Sequence, residues 1–499
     1  MKKTAVIILM LMTIACAFLL LGCAPSEEKL TSYEINAVLN TTDMTITADE
    51  TVNFVNNYDS ALDSVYFHMY PAAYREGARF SPITESNILK AYPNGVDYGG
   101  ITINSVFVDG EAGTYEIGGQ DEDILMITGL MLNPEGSAEI KISFTLDIPQ
   151  IRHRFGHYDN IVNLGNWYPI VSIFENNGWR TDPYYSKGDP FFSEVANYKV
   201  KLTTPTGWTV ANTGTTNAAI DGEIATTTMT AEKVRDFAIV AGKNLQMSAT
   251  AYQGVNIRYY YTSDDRSEYR LGLISDALKT FTSFFGEYPY GQLSVVKTHF
   301  MHGGMEYPQL VYVSDTLNES LFDDSIIHET AHQWWYGVVG SDEVRHAWLD
   351  EGLTEYSATV FYEKNPSYGI SINDRIADAM KGYILFSEIY QAQMAGVSSL
   401  NRPLGDYFNT HDYVYHAYVK GELFFDSLRH LVGDTGFFAA LSSYYTANMY
   451  KNASPEDLLY AFEQTTGKSL EKFFSNWLNG EVELYASVPM DGSVVLIEH

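Results

Sequence analysis

His328-Glu329-Thr330-Ala331-His332 is followed, nineteen residues past its second histidine, by Glu351 in Trp348-Leu349-Asp350-Glu351-Gly352-Leu353-Thr354-Glu355-Tyr356. On an α-helix, residues four apart share a face, so both imidazoles can reach one ion. Glu329 sits one residue along, and its carboxylate can reach a water on that ion without being a ligand. Helix signals surround the pair: Asp323, Asp324 and Ser325 are candidate caps, and Gly337 is a candidate stop. Alone, the five residues also suit two surface histidines on a helix. A third ligand makes that improbable, because catalytic zinc sites take three protein ligands and leave one position open. Glu351 supplies it from the head of a second helical stretch, which a return of that length brings beside the first. The expectation is one Zn2+ per chain on His328, His332 and Glu351, with Glu329 as general base. Glu355, one turn further, can accept a proton from a ligand imidazole, and a solvated surface acid fits it equally. His346 fits no ligand spacing and reads as a polar loop residue.

Upstream the pattern changes. From about 31 to 244 the chain carries short alternating runs: Tyr33-Glu34-Ile35-Asn36-Ala37-Val38, Glu139-Ile140-Lys141-Ile142-Ser143-Phe144 and Tyr198-Lys199-Val200-Lys201-Leu202. Each is bounded by Asn, Asp, Gly or Pro, as half-buried antiparallel strands are. This half reads as a β-sandwich-like domain without a His, Cys or acidic cluster at ligand spacing. A few strands follow, Ser294 to Phe300 and Gln309 to Val313, and beyond Asp323 the pattern is mainly helical. Ser454-Pro455-Glu456-Asp457 combines an N-cap, a first-turn proline and two acids. Asp491-Gly492 can turn a small terminal hairpin. The fold class is therefore α+β and multidomain, which 499 residues already favour.

The N-terminus reads differently again. Lys2 and Lys3 precede an apolar run from Ala5 to Leu21, then Gly22-Cys23 and the polar stretch Ala24 to Lys29. That order is a secretory signal, and Leu20-Leu21-Gly22-Cys23 resembles the lipobox of bacterial lipoproteins, with Cys23 as the lipidation site. The run is short for a membrane span. Cys16 and Cys23 are the only cysteines, so a processed chain has no internal disulfide. The formal charge of -31 repels nucleic acid and anionic lipid, which argues against both as partners of the folded part. The expected location is the bacterial cell membrane, lipid-anchored and facing outside the cytoplasm.

Three motifs in order carry a resemblance. His-Glu-x-x-His followed by Glu351 inside Trp-Leu-x-Glu-Gly resembles the gluzincin zinc metallopeptidases of the aminopeptidase N and leukotriene hydrolase family. Gly303-Gly304-Met305-Glu306-Tyr307 is similar to that family's Gly-x-Met-Glu-Asn loop, and Tyr418-Val419-Lys420-Gly421 to its Tyr-Glu-Lys-Gly. The resemblance implies a thermolysin-like catalytic domain and peptide substrates. It implies that Glu306 holds a substrate's free α-amine, that Gly303, Gly304 and Met305 let backbone pair with the substrate, and that Tyr418 donates to the oxyanion. The implied division is 1-22 signal peptide, 23-30 anchor and linker, 31-244 β-rich domain, 245-485 zinc peptidase domain and 486-499 tail.

Departures stand beside these likenesses. Tyr307 replaces the family's Asn, Val419 its Glu, and Asp350 the Asn before Glu351. The family's helical C-terminal domain has no counterpart in this short form, and no second amine-binding acid is recognisable in the β-rich half. The implied activity is that of an aminopeptidase. An endopeptidase with the same zinc site is the alternative, and a non-catalytic peptide-binding lipoprotein a remoter one, since neither ligand nor base is missing.

Overall fold

A computed structural model of the protein describes residues 29–394, 398–482 and 484. The signal segment with Cys23, and the turn at Asp491-Gly492 with the tail 486–499, lie outside the described residues. No described helix is long and apolar enough to cross a membrane.

From Ser32 to Lys243 the chain is strand-rich, because its side chains alternate. In Ser32–Asn40, Tyr33, Ile35, Ala37 and Leu39 are buried, and in Ser137–Asp147, Ala138, Ile140, Ile142, Phe144 and Leu146 are. These strands join Thr45–Val55, Gly100–Val108, Ala196–Pro205, Ile224–Val234 and two shorter ones in an eight-stranded sheet. One pairing differs from the antiparallel expectation: Ser32–Asn40 runs parallel to Ala196–Pro205, with Ser32 opposite Asn197. The two strands are far apart in sequence, so no hairpin constrains their direction. Two four-stranded sheets and a two-stranded one, Phe174–Glu175 with Gly178–Trp179, complete this half. Aromatic rings join them to the large sheet: Tyr33 and Tyr198, paired within that sheet, stack at 4.7 Å, Tyr168 meets both edge-on, and Tyr33 Oη accepts a hydrogen bond from Val171 N of a four-stranded sheet at 3.1 Å.

The second half opens with a five-stranded sheet in the order Gln246–Tyr252, Val255–Tyr261, Gln292–Thr298, Leu310–Ser314, Gly304–Met305. Its last strand is antiparallel to its neighbour, with Gly304 opposite Val313. The longer helices are α1 (Ser267–Phe284), α2 (Glu319–Ala331), α3 (Glu343–Lys364), α4 (Ile372–Met394), α5 (Gly421–Val432), α6 (Asp434–Asn448), α7 (Pro455–Thr466) and α8 (Glu471–Leu478). Helix α7 starts at Ser454 with a full capping box, as its sequence predicts.

Two helix starts lie earlier than the sequence suggests. Helix α2 is capped by Asn318, which accepts from Leu321 N at 3.1 Å, so Asp323, Asp324 and Ser325 lie inside it. The two acids serve elsewhere: Asp323 pairs with Arg266 at 3.0 Å and Asp324 with Arg375 at 2.8 Å. The helix ends at Ala331 with His332 as its C-cap, before Gly337 is reached, but His332 keeps helical angles and the i, i+4 relation survives. Helix α3 is capped by Asp342 and starts at Glu343, so Glu351 stands two turns inside it rather than at its head. His346 is the helix's one non-helical residue, a kink rather than a loop, and its ring bonds Asn401 Oδ1 at 2.6 Å.

Buried polar bonds join the halves. Tyr307 Oη donates to Asn166 Oδ1 at 2.8 Å, and Asn163 both accepts from Thr298 Oγ1 and donates to His299 O. The family asparagine that Tyr307 replaces is thus exchanged for a domain strut. A Cβ at Gly165 would collide with its hydroxyl.

Candidate active site

Helices α2 and α3 bring three donor atoms to one point. His328 Nε2 and His332 Nε2 are 3.1 Å apart, and Glu351 Oε2 is 3.3 Å from the first and 3.2 Å from the second. A tetrahedral zinc with bonds of about 2.0–2.1 Å sets its ligands about 3.3 Å apart, so the triangle has the right size. All three side chains are buried. The rings are also oriented for a metal. His328 Nδ1 donates to Glu355 Oε2 at 3.0 Å, and His332 Nδ1 to Asp350 Oδ1 at 2.8 Å, which turns both Nε2 lone pairs inward. Those lone pairs and a carboxylate oxygen repel unless a positive charge sits between them. The protonation equilibria express the same demand. Burial lowers the basicity of His328, yet Glu351 and Glu355 raise it to about 10; His332 is raised well above its ordinary value by Asp350 and its neighbours. A divalent cation displaces those protons and meets the same negative field. The residues present fit zinc.

Glu329 projects from α2 beside the triangle. Its carboxyl is buried, Oε2 accepts no hydrogen bond from a protein group, and burial pushes its pKa up to about 7. A cation on the triangle pulls it back toward the ionised form. Gly304 explains its motif here: a Cβ would overlap the Glu329 carboxyl, so only glycine lets the sheet edge lie against the base. Gly303 is not so constrained, since a Cβ there meets only Ser325 Oγ at 3.6 Å.

A cavity of about 300 Å³ opens over these groups, lined by His153, Arg154, Tyr184 and Asp189 from the β-rich half and by Gly303, Gly304, Glu329 and Tyr418 from the other. Glu306 sits just behind this wall, with one carboxylate oxygen within 4.8 Å of Glu329 and His332 donors. Burial, then Asp189, raise its proton affinity well above the ordinary range. Met305 is buried in the edge strand.

Tyr418 stands on a π-helical turn, Val414–Lys420. Its ring stacks on His328 at 5.6 Å, and its hydroxyl donates to Glu351 Oε1. The wider turn puts Tyr413, five residues earlier, on the same oxygen at 3.2 Å. The turn is held close by paired glycines: a Cβ on Gly421 would lie 2.6 Å from Gly352 Cα, so α3 and α5 touch backbone to backbone. Lys420 Nζ anchors the turn, donating to Ser398 O at 2.6 Å and Ser398 Oγ at 2.8 Å.

Four residues here were not found by sequence reasoning. Asp350, visible only as a departure, orients His332. Tyr413 is brought in by the π turn that follows it, which has no sequence signature. Asp189, which Arg154 Nη1 reaches at 2.6 Å, is an acid from the β-rich half that faces the cavity from an unmarked loop. Arg375 on α4 donates to Glu355 Oε1 at 2.8 Å and to Asp324 at 2.8 Å, and so fixes the carboxylate that fixes His328. Such outer partners are worth roughly 10–100-fold in metal affinity. Arg375→Gln is therefore expected to bind zinc tenfold or more weakly in a competition with a chromogenic chelator, with an unchanged circular dichroism spectrum.

Comparison with known proteins agrees with this geometry. Residues 269–477 match the model of the Peptidase family M1 domain. The chain is 23% identical over 326 residues to Aminopeptidase M1-D of Oryza sativa subsp. japonica, covering 61% of this chain and 36% of that one. It is 28% identical over 241 residues to Aminopeptidase B of Rattus norvegicus, covering 43% and 35%. The chain thus spans about a third of the length of these curated relatives. An M1 zinc metallopeptidase from Deinococcus radiodurans shares the fold at a TM-score of 0.65 and 17% identity, over 94% of this chain and 97% of that one. A mutant of it, solved with a Tyr-Ser-Ala substrate, superposes with a TM-score of 0.63 at 17% identity over 91% of this chain and 95% of that one. The ordered motifs, the ligand triangle and a fold shared with the M1 zinc metallopeptidases thus fall together in the stretch 269–477, which matches the peptidase family M1 domain.

Proposed function

We propose that the protein is a zinc-dependent aminopeptidase, removing residues from the amino ends of peptides. The observation that carries this reading is the ligand triangle with two further buried carboxyls, Glu329 and Glu306, within 4.8 Å of the His332 donor. His328, His332 and Glu351 would hold the zinc, which would supply a Lewis acid for acidifying water and polarising a carbonyl. Glu329 takes the proton from the attacking water and returns it to the leaving amine. Tyr418 leaves Glu351 Oε1 and donates its hydroxyl to the developing oxyanion. The edge strand Gly304–Met305 offers backbone groups to an extended peptide. Glu306, assisted by Asp189 across the cavity, pairs with the α-ammonium and so measures one residue from the cut.

The Glu306 role has its own test. A charge-assisted hydrogen bond is worth roughly 1.5–3 kcal/mol, so Glu306→Ala is expected to slow cleavage of free-amine peptides by about tenfold to a hundredfold. Residual cleavage of acetylated peptides should hardly change, and zinc content should stay at one per chain. Comparing both substrates in both proteins isolates the pair from general damage. Equal losses would make Glu306 a structural residue and favour the endopeptidase reading.

The same proposal places the enzyme outside the cytoplasm on a lipid anchor at Cys23, supported by the order of lysines, apolar run and Leu20-Leu21-Gly22-Cys23. Cys23→Ser should abolish incorporation of radioactive fatty acid in the expressing cell. Label persisting on that variant would put the anchor elsewhere.

A further inference from the structure

Behind the zinc ligands lies a second acidic cluster. Glu306 follows the edge strand, Glu343 is the first residue of α3, and Asp350 lies two turns along the same helix, past the kink at His346. One carboxylate oxygen of each lies within 4.8 Å of one from each of the others. Each residue is 3% exposed. Glu306 Oε1 and Glu343 Oε1 accept no hydrogen bond from any protein group, and among the described residues no lysine or arginine is ion-paired to any of the three. Arg180 pairs with Asp342, the residue before Glu343, at 2.6 Å and not with Glu343 itself. The hydroxyl of Tyr336 is buried without a protein partner as well.

Carboxylates removed from water need a counter-charge within the protein. We propose that Glu306, Glu343 and Asp350 form a second cation site, separate from the zinc ligands, that takes a hard divalent ion of the calcium, magnesium or manganese class. The donor set is all oxygen, which selects that class over softer metals. Glu343 and Asp350 do not border the cavity, and of the three only Glu306 carries a proposed contact with substrate. Three carboxylates holding a divalent ion keep one net negative charge, and Glu306 thus remains ionised and attractive to an ammonium. The inference goes beyond the aminopeptidase reading and does not depend on turnover.

The test uses the full zinc-loaded chain, dialysed in turn against about 1 mM calcium, magnesium or manganese chloride, a range that captures weak oxygen-ligand sites. Zinc and the added metal are then counted in the same digest. The expected result is one added ion per chain, for at least one of the three, beside one zinc. Glu343→Gln should bind that ion at least tenfold more weakly while zinc stays at one. Zinc alone in the wild type with every added ion would overturn the site and leave a shared proton in its place. Undiminished binding in Glu343→Gln would overturn it as an adventitious ion elsewhere. Should that variant not fold, the wild-type stoichiometry decides, together with a rise in thermal midpoint that saturates with the same ion. A chain that takes the added ion but no zinc would refute the zinc reading and leave this one standing.

Discussion

Glu329→Gln is expected to keep its fold and one zinc per chain and to lose turnover by about 10⁴-fold or more. General acid–base groups are worth roughly 10²–10⁴-fold, and this one acts twice, on the attacking water and on the leaving amine. The amide is the same size, so the close packing of Glu329 against Gly304 survives the exchange. What is lost is the capacity to accept a proton. Single-turnover rates on a free-amine peptide, with zinc measured on the same sample, check this. Activity within tenfold of wild type would mean that a different group serves as base. Glu306, within 4.8 Å of Glu329, and Asp189, which lines the same cavity, are the candidate alternatives.

Glu351→Ala is expected to lose both metal and activity. The two imidazoles alone make an incomplete site, and removing Glu351 withdraws the one negative charge that contacts both rings. The loss spreads further, because Tyr413 and Tyr418 both donate to Glu351 Oε1 and would be left without their acceptor. Elemental analysis after dialysis should find well under a tenth of a zinc per chain, as an order-of-magnitude figure for a site reduced to two ligands. Full occupancy would remove Glu351 from the ligand set. Glu355 is then the candidate replacement, already bonded to His328.

The ligands themselves were legible because their geometry is local. His328 and His332 need only one helix, and Glu351 only a second helix returning beside it. The glycines were legible as motif members but not as causes: contact between Gly352 and Gly421 becomes visible only when α3 and α5 are placed together. Residues that orient the ligands were harder. Asp350 drew notice only as a departure from a family asparagine, although it holds His332 at 2.8 Å. Arg375 acts on the zinc site from another helix through Glu355, and no spacing rule links it to His328. Helix starts were misplaced because Asp323 and Asp324 carry the composition of caps but are engaged by Arg266 and Arg375. The parallel register of Ser32–Asn40 with Ala196–Pro205 is a property of the assembled sheet, and alternation alone does not report strand direction.

The central claim is that this zinc site cuts peptides from their amino ends. Incubating a defined peptide mixture with the purified chain, half of it N-acetylated, and following it by mass spectrometry tests that most directly. The account predicts a ladder in which free-amine peptides shorten one residue at a time from the N-terminus. Acetylated peptides should persist, and a zinc chelator should stop the reaction. Internal cuts in both halves of the mixture, or an intact mixture from a fully zinc-loaded chain, would contradict it.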